Sequence, residues 1–256
     1  MVMLPPTPAI GHTTDSDPDG HSYGAVLVAA DPSLLPRVQE LLQELRFTGW
    51  VTAREKWIIA LGQPGDGVVA AKRRGVIEVA AALAAELGQV VFALRVRNDR
   101  QLAIVAWQDG EEIGRYCSNP SVEPGASREV ASDPVGSEYA EAFAQACRRP
   151  EAAAELSSLL EEELDPDSIY ESERLLTVLK LLGMPRWLVG AGELPADIMT
   201  APRTKEMLRL RVGRKKIAGI LFNMALVKKK RRRRTPPPVI ADPPTNSMSG
   251  YESWML

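Results

Sequence analysis

Three apolar segments close together in the chain decide the fold: VVFALRV (residues 90–96), QLAIVAWQ (Gln101–Gln108) and EIGRYC (residues 112–117). Short polar turns separate them, and the second turn contains the dipeptide Asp109-Gly110. Glycine tolerates the positive φ that a tight hairpin turn requires, so Asp-Gly between apolar segments is typical of a hairpin. The pattern predicts an antiparallel meander of three strands.

The residues before the meander predict two further strands and two helices. AVLVAA (residues 25–30) and WIIAL (residues 57–61) have the short apolar pattern of buried strands. Asp31 followed by Pro32 is typical of a helix start, and apolar residues at helical spacing then predict a helix of about fourteen residues. An alanine-rich segment, residues 75–87, predicts a second helix that ends at Gly88.

A loop rich in proline, glycine and serine over residues 118–136 follows the meander. Apolar spacing then predicts helices over residues 137–147, 151–164 and 172–182, and a last strand over residues 187–189. Strands and helices mix without regular βαβ alternation, which favours the α+β class. We therefore expect an antiparallel meander with flanking helices in a single domain.

Composition divides the chain into three parts. With 256 residues, 45% of them hydrophobic and 25% charged, it can bury a substantial core. Residues 1–23 combine prolines and glycines with small polar residues and have no lysine, arginine or sustained apolar run, which predicts a disordered leader rather than a conventional secretory signal. We expect an α+β domain over residues 24–227 and a disordered tail, basic and then proline-rich, over residues 228–256.

Three motifs lie within residues 83–192: LAAELGQVVFALRV, the hairpin AWQDGEEIGRYCSNP and LLTVLKLLGMPRWLVGAGE. Through them, this part of the chain resembles a loosely defined group of uncharacterised bacterial α+β proteins. These motifs are turn and core residues, so the resemblance implies one compact bacterial domain and no particular chemistry.

Positive charge is concentrated near the end of the sequence. Residues 203–234 contain fourteen lysines and arginines against the single acid Glu206, whereas the whole chain carries a net charge of −2. Such asymmetry indicates an anionic partner. An earlier cluster (Arg203, Lys205, Arg209, Arg211, Arg214, Lys215 and Lys216) alternates with apolar residues as in an amphipathic segment. The candidate nucleic-acid-binding residues are the run KKKRRRR, which consists of Lys228, Lys229, Lys230, Arg231, Arg232, Arg233 and Arg234.

Catalytic and metal-binding motifs are incomplete. The two histidines, His12 and His21, fall in the predicted leader, and the two cysteines, Cys117 and Cys147, lack metal-ligand spacing. GQPGDG (residues 62–67) lacks the lysine of a phosphate-binding loop, and VGAGELP (residues 189–195) has proline where a dinucleotide fingerprint needs glycine. We expect no catalytic residues, no metal and no cofactor, and reduced thiols fit an intracellular, cytoplasmic protein.

These observations predict a non-catalytic interaction protein whose polybasic tail binds DNA or RNA non-specifically. The alternatives are a peripheral module on an anionic membrane surface and a protein-binding module without nucleic-acid binding. The apolar stretch IAGILFNMALV (residues 217–227) is too short to cross a bilayer, which needs about twenty residues.

Overall fold

A seven-stranded antiparallel sheet forms the centre of the molecule in the computed structural model, which describes residues 21–63, 67–123, 126–127, 130–163 and 170–211. The strands are β1 (Tyr23–Ala29), β2 (Gly49–Arg54), β3 (Trp57–Gly62), β4 (Val91–Arg97), β5 (Gln101–Gln108), β6 (Glu111–Cys117) and β7 (Leu208–Leu210). Their order across the sheet is β6-β5-β4-β1-β3-β2-β7.

Helices pack on both faces of this sheet. The α-helices are α1 (Leu35–Glu44), α2 (Val76–Leu87), α3 (Ala140–Ala146), α4 (Ala153–Glu161) and α5 (Glu171–Leu181). Short 3₁₀ helices cover Pro32–Leu34, Ala71–Arg73, Pro120–Val122, Ser137–Tyr139, Pro150–Ala152 and Arg186–Glu193. The α+β class and the antiparallel meander with flanking helices are therefore confirmed.

The predicted meander is β4, β5 and β6. Ala93 in β4 lies opposite Val105 in β5, and Val105 lies opposite Arg115 in β6, so the three strands pair side by side. The β5–β6 pairing shifts at a bulge between Ala106 and Trp107, and Gly110 in the connecting turn has φ 85°. The Asp-Gly turn thus has the backbone geometry that the sequence predicted.

The sheet separates two hydrophobic cores, and side chains alternate between them along each strand. In β1, Val26 and Val28 belong to the core under α1 and α2, whereas Leu27 packs with Phe92 and Phe143 in the core under α3, α4 and α5. Because both faces are covered, strands such as β1 are apolar at nearly every position.

The predicted helix ends agree with the structure. The Asp31 side chain accepts a hydrogen bond from the Ser33 backbone N–H and caps the 3₁₀ turn that leads into α1. Gly88 after α2 and Gly183 after α5 have φ values of 57° and 64°, a left-handed conformation that glycine adopts without strain.

The strand predicted over residues 187–189 is wrong, because this segment lies within the 3₁₀ helix Arg186–Glu193. Leu188 and Ala191 are buried three residues apart, the spacing that places two side chains on one side of a 3₁₀ helix. Two strands were not predicted: β2, and β7, which lies within the basic cluster and pairs with β2.

Candidate anion-binding surface

Six exposed cationic residues gather at one end of the sheet, which we call the basic end. They come from three segments: the turn between β2 and β3, the residues after α3, and the end of α5 with the residues that follow it. The basic end consists of Arg54, Lys56, Arg148, Arg149, Lys180 and Arg186.

Direct contacts hold these three segments together. The indole Nε1 of Trp57, the first residue of β3, donates to the carbonyl oxygen of Gly183 at 3.4 Å. A guanidinium nitrogen of Arg149 lies 3.2 Å from the position that a Cβ on Gly183 would take. The Lys56 ammonium lies 5.9 Å from the centre of the Trp57 ring. The cations are therefore placed by packed elements and not by one flexible loop.

Most cations of the basic end are not neutralised by neighbouring acids. Arg149 pairs with Glu151 at 3.5 Å, and Arg54 Nη1 donates to the Thr200 carbonyl at 2.9 Å. Within the described part of the chain, no ion pair forms at the other four cations of the basic end, which are Lys56, Arg148, Lys180 and Arg186. These four are available to an anion from solution.

Two cavities open at the basic end, one on each side of the β2–β3 turn. The first, of about 530 Å³, is lined by both charge signs: Lys56 and Arg148 face Asp31 and Asp109. The second, of about 340 Å³, is lined by Arg54, Lys180 and Arg186 with Glu55 as its one acid among the described residues. We call this second one the α5 cavity, and its surplus of cations suits an anion better.

Cys147 lines the first cavity but does not have the properties of a nucleophile. It is buried, and burial raises the pKa of its thiol to about 12, although nearby Lys56 and Arg149 act in the opposite direction. The reactive form of cysteine is the thiolate. At neutral pH Cys147 is therefore a protonated core residue.

At the opposite end of the sheet, charged groups are buried and bound to one another. Asp99, in the turn between β4 and β5, accepts from the backbone N–H of His21 at 2.8 Å and from the backbone N–H of Ser172 at 3.2 Å. The Ser172 hydroxyl also donates to Asp99, and the Tyr23 hydroxyl donates to the Ser172 Oγ at 3.0 Å. This network joins the first strand, the meander and the start of α5.

Glu171 and Arg174 form a buried ion pair beside Asp99. Their charged atoms are 3.6 Å apart, with 6% and 1% of the side chains exposed. Arg174 also donates to the Tyr116 hydroxyl and to the Glu162 carbonyl oxygen. Burial raises the pKa of Glu171, while a hydrogen bond from Ser118 and the charge of Arg174 lower it. The charge of each side chain balances that of the other, so we assign this pair a structural role.

The residues predicted to bind nucleic acid, Lys228 to Arg234, lie outside the described residues. In the earlier basic cluster, Arg209 is 3% exposed, and its guanidinium lies 4.9 Å from the centre of the Trp50 ring. Burial lowers its pKa to about 10. Arg209 therefore belongs to the packing of β7, whereas Arg203, Lys205 and Arg211 are exposed.

Sequence reasoning missed the basic end because its cations come from three separate segments. Each cation is an ordinary single residue, and the cations near the ends of α3 and α5 have a local explanation in the negative carbonyl ends of the helices. The only sequence signal was that Lys56, Arg148, Arg149, Lys180 and Arg186 fall near the ends of predicted elements; Arg54 ends β2, which was not predicted.

His21, placed in the predicted leader, lies directly before β1, which begins at Tyr23. Among the described residues, no group of three or more histidine, cysteine or acidic side chains has the geometry to hold a metal ion. No helix in the same residues has both the length and the apolar character to span a bilayer. No family model, curated protein or solved structure matches the chain.

Proposed function

We propose that this protein is a non-catalytic, cytoplasmic interaction protein that binds polyanions, DNA or RNA, without sequence preference. Lys228 to Arg234 supply the main contacts, and the basic end supplies a second, ordered surface. The observation that carries the proposal is the set of four exposed cations, Lys56, Arg148, Lys180 and Arg186, that form no ion pair within the described residues.

The chemistry of these cations suits phosphate. Arginine makes paired hydrogen bonds to phosphate oxygens, and lysine acts as a point charge. Such contacts release counterions from the nucleic acid, so affinity depends steeply on salt and hardly on sequence. The basic end comes from rigid elements, which adds a fixed surface to the contacts of the tail.

Binding is supported over catalysis by the state of the reactive groups. The raised pKa keeps Cys147 protonated, and Asp99, Glu171 and Arg174 have buried partners that hold them in place. A general base or nucleophile needs access to a substrate. Cations outnumber acids among the groups left exposed at the basic end, and they attract anions.

The test is nucleic-acid affinity as a function of salt. For the full chain, five to seven contacts from the tail predict a slope of log K against log salt of about −4.5 to −6 on duplex DNA. Deleting Lys228 to Arg234 should reduce this slope to that of the basic end alone. Full-length protein that ignores DNA and RNA at low salt would contradict the proposal.

Binding assays with the same full-length protein distinguish the two alternative functions. Binding to vesicles that contain anionic lipid, with no binding to nucleic acid at equal salt, would favour the membrane-surface module. Binding to neither polyanion would favour a protein-binding module whose basic residues serve solubility or contacts within the chain.

A further inference from the structure

The α5 cavity has the features of a defined ligand site. It lies between the β2–β3 turn and the corner where α5 ends, and its volume of about 340 Å³ falls at the lower end of the range for small-molecule sites. Its lining combines the three cations Arg54, Lys180 and Arg186 with an apolar wall of Leu179, Met184, Pro185 and Trp187.

Hydrogen-bond donors dominate this cavity. Lysine and arginine side chains donate and never accept. Trp187 also lines the cavity, and its buried indole N–H has no hydrogen-bond acceptor among the described residues. A buried donor without a partner costs free energy that an acceptor would recover. The lining therefore favours a ligand rich in acceptors.

The negative carbonyl end of α5 does not offset the preference of the cavity for an anionic ligand. Its last carbonyls are satisfied by a C-terminal motif in which the Gly183 N–H donates to Lys180 and the Met184 N–H donates to Leu179. Arg54 is held in place by its hydrogen bond to the Thr200 carbonyl. The cations therefore surround a volume that stays electropositive, because Glu55 is the one acid in the described lining.

We propose that the α5 cavity binds a phosphate monoester attached to an organic group of nucleoside size. A monoester is dianionic and offers three terminal oxygens, which matches the three cations of the lining, whereas a phosphodiester offers one charge and two such oxygens. The apolar wall packs against the organic group. The two sources of this chemistry are a free nucleoside monophosphate and the phosphorylated 5′ end of a nucleic-acid strand.

This inference deepens the polyanion proposal and rests on it for the class of ligand. The two can fail separately, because a nucleoside monophosphate carries one phosphate and cannot bridge many tail cations. Binding to the cavity should persist at about 0.3 M salt, where multi-phosphate binding through the tail is strongly weakened.

The experiment measures adenosine 5′-monophosphate binding to the full chain at this salt concentration by calorimetry. We expect the double substitution Lys180→Gln with Arg186→Gln to raise Kd at least tenfold, as expected for the loss of hydrogen bonds to charged groups, of which one alone is worth about a tenfold change or more. The matched control is Lys72→Gln with Arg73→Gln. It removes the same charge from two exposed residues before α2, outside the lining of this cavity. Its Kd should change less than about threefold, since distant exposed charges are screened.

A second measurement reports directly on the cavity wall. In a ¹H–¹⁵N spectrum, the indole N–H signal of Trp187 should shift when adenosine 5′-monophosphate is added, and the shift should disappear in the Lys180/Arg186 variant. The signal is assigned by its loss in Trp187→Phe, or by through-bond experiments on the unsubstituted protein where that variant does not fold.

Short single strands of one sequence, with a 5′-phosphate or a 5′-hydroxyl, distinguish the source. Binding of the nucleotide alone, of the phosphorylated strand alone, or of both supports the proposal and identifies the source. It is overturned if neither binds, if the Trp187 signal moves with neither of them, if both double variants weaken binding equally, or if the 5′-hydroxyl strand binds as tightly as the phosphorylated one.

Discussion

The two ends of the sheet use charge in opposite ways. At one end Asp99, Glu171 and Arg174 are buried and joined by hydrogen bonds and an ion pair. At the basic end, Lys180 and Arg186 are exposed and form no ion pair within the described residues. A buried charge needs its partner for the fold to remain stable, and a charge left in solvent is available for binding. Substitutions at the two ends should therefore affect different measurements.

The largest expected effect is on the buried ion pair. Arg174→Met should lower the free energy of unfolding by about 3–5 kcal/mol, because it leaves the Glu171 carboxylate buried without its cation. It also removes the donor to the Tyr116 hydroxyl. Denaturant unfolding followed by circular dichroism measures this change.

The matched substitution at the basic end is Arg186→Met, which should alter the same free energy by no more than about 0.5 kcal/mol. Similar losses in both variants would show that the difference between the two ends is not one of stability.

An intermediate effect is expected at Asp99. Asp99→Ala removes the acceptor for the backbone N–H groups of His21 and Ser172, which leaves donors at the start of α5 without their partner. We expect a loss of about 1–3 kcal/mol in the free energy of unfolding. Asp99→Asn, which keeps an acceptor oxygen, should recover part of it. Equal losses in the two variants would mean that charge, and not hydrogen bonding, is what Asp99 contributes.

The smallest effect is a pH dependence at Glu171. Because burial raises its folded pKa above the unfolded value, the folded state holds its proton to higher pH than the unfolded chain does. Its contribution to stability is therefore fully present below the unfolded pKa and is reduced as pH rises through the folded pKa. Relative to Glu171→Gln, the unsubstituted protein should have a higher free energy of unfolding at pH 4 than at pH 7. If its relative stability increases as pH rises instead, the folded pKa of Glu171 is lowered and not raised.

A structural feature of this protein could be predicted from the sequence when residues close together in the chain determine it. The meander, α2 and the ends at Gly88 and Gly183 were predictable because apolar spacing and turn residues lie within short segments. Strand β2 was not, because its buried Trp50 and Val51 are followed by Thr52 and Arg54, which break the apolar pattern. Strand β7 has three residues, and its central Arg209 is buried with its guanidinium over the Trp50 ring, a contact between segments far apart in the sequence.

The candidate site shows the same limit more strongly. A run such as Lys228 to Arg234 is visible in the sequence. By contrast, Lys56, Arg148 and Lys180 come from three distant segments, and their proximity depends on how β3, α3 and α5 pack. The α5 cavity likewise includes Trp187, in a segment whose secondary structure was wrongly predicted.

Strand β7 also bears on self-association. A strand at the edge of a sheet exposes unpaired backbone groups that can join a second chain. At the β6 edge, Glu111, Glu112 and Arg115 present charges that oppose such joining. At the other edge, three residues of β7 cover β2 opposite Gly49, Trp50 and Val51. Without β7, residues 49–51 of β2 would present unpaired backbone groups at this edge, so this short strand pairs groups that a second copy of the chain could otherwise join.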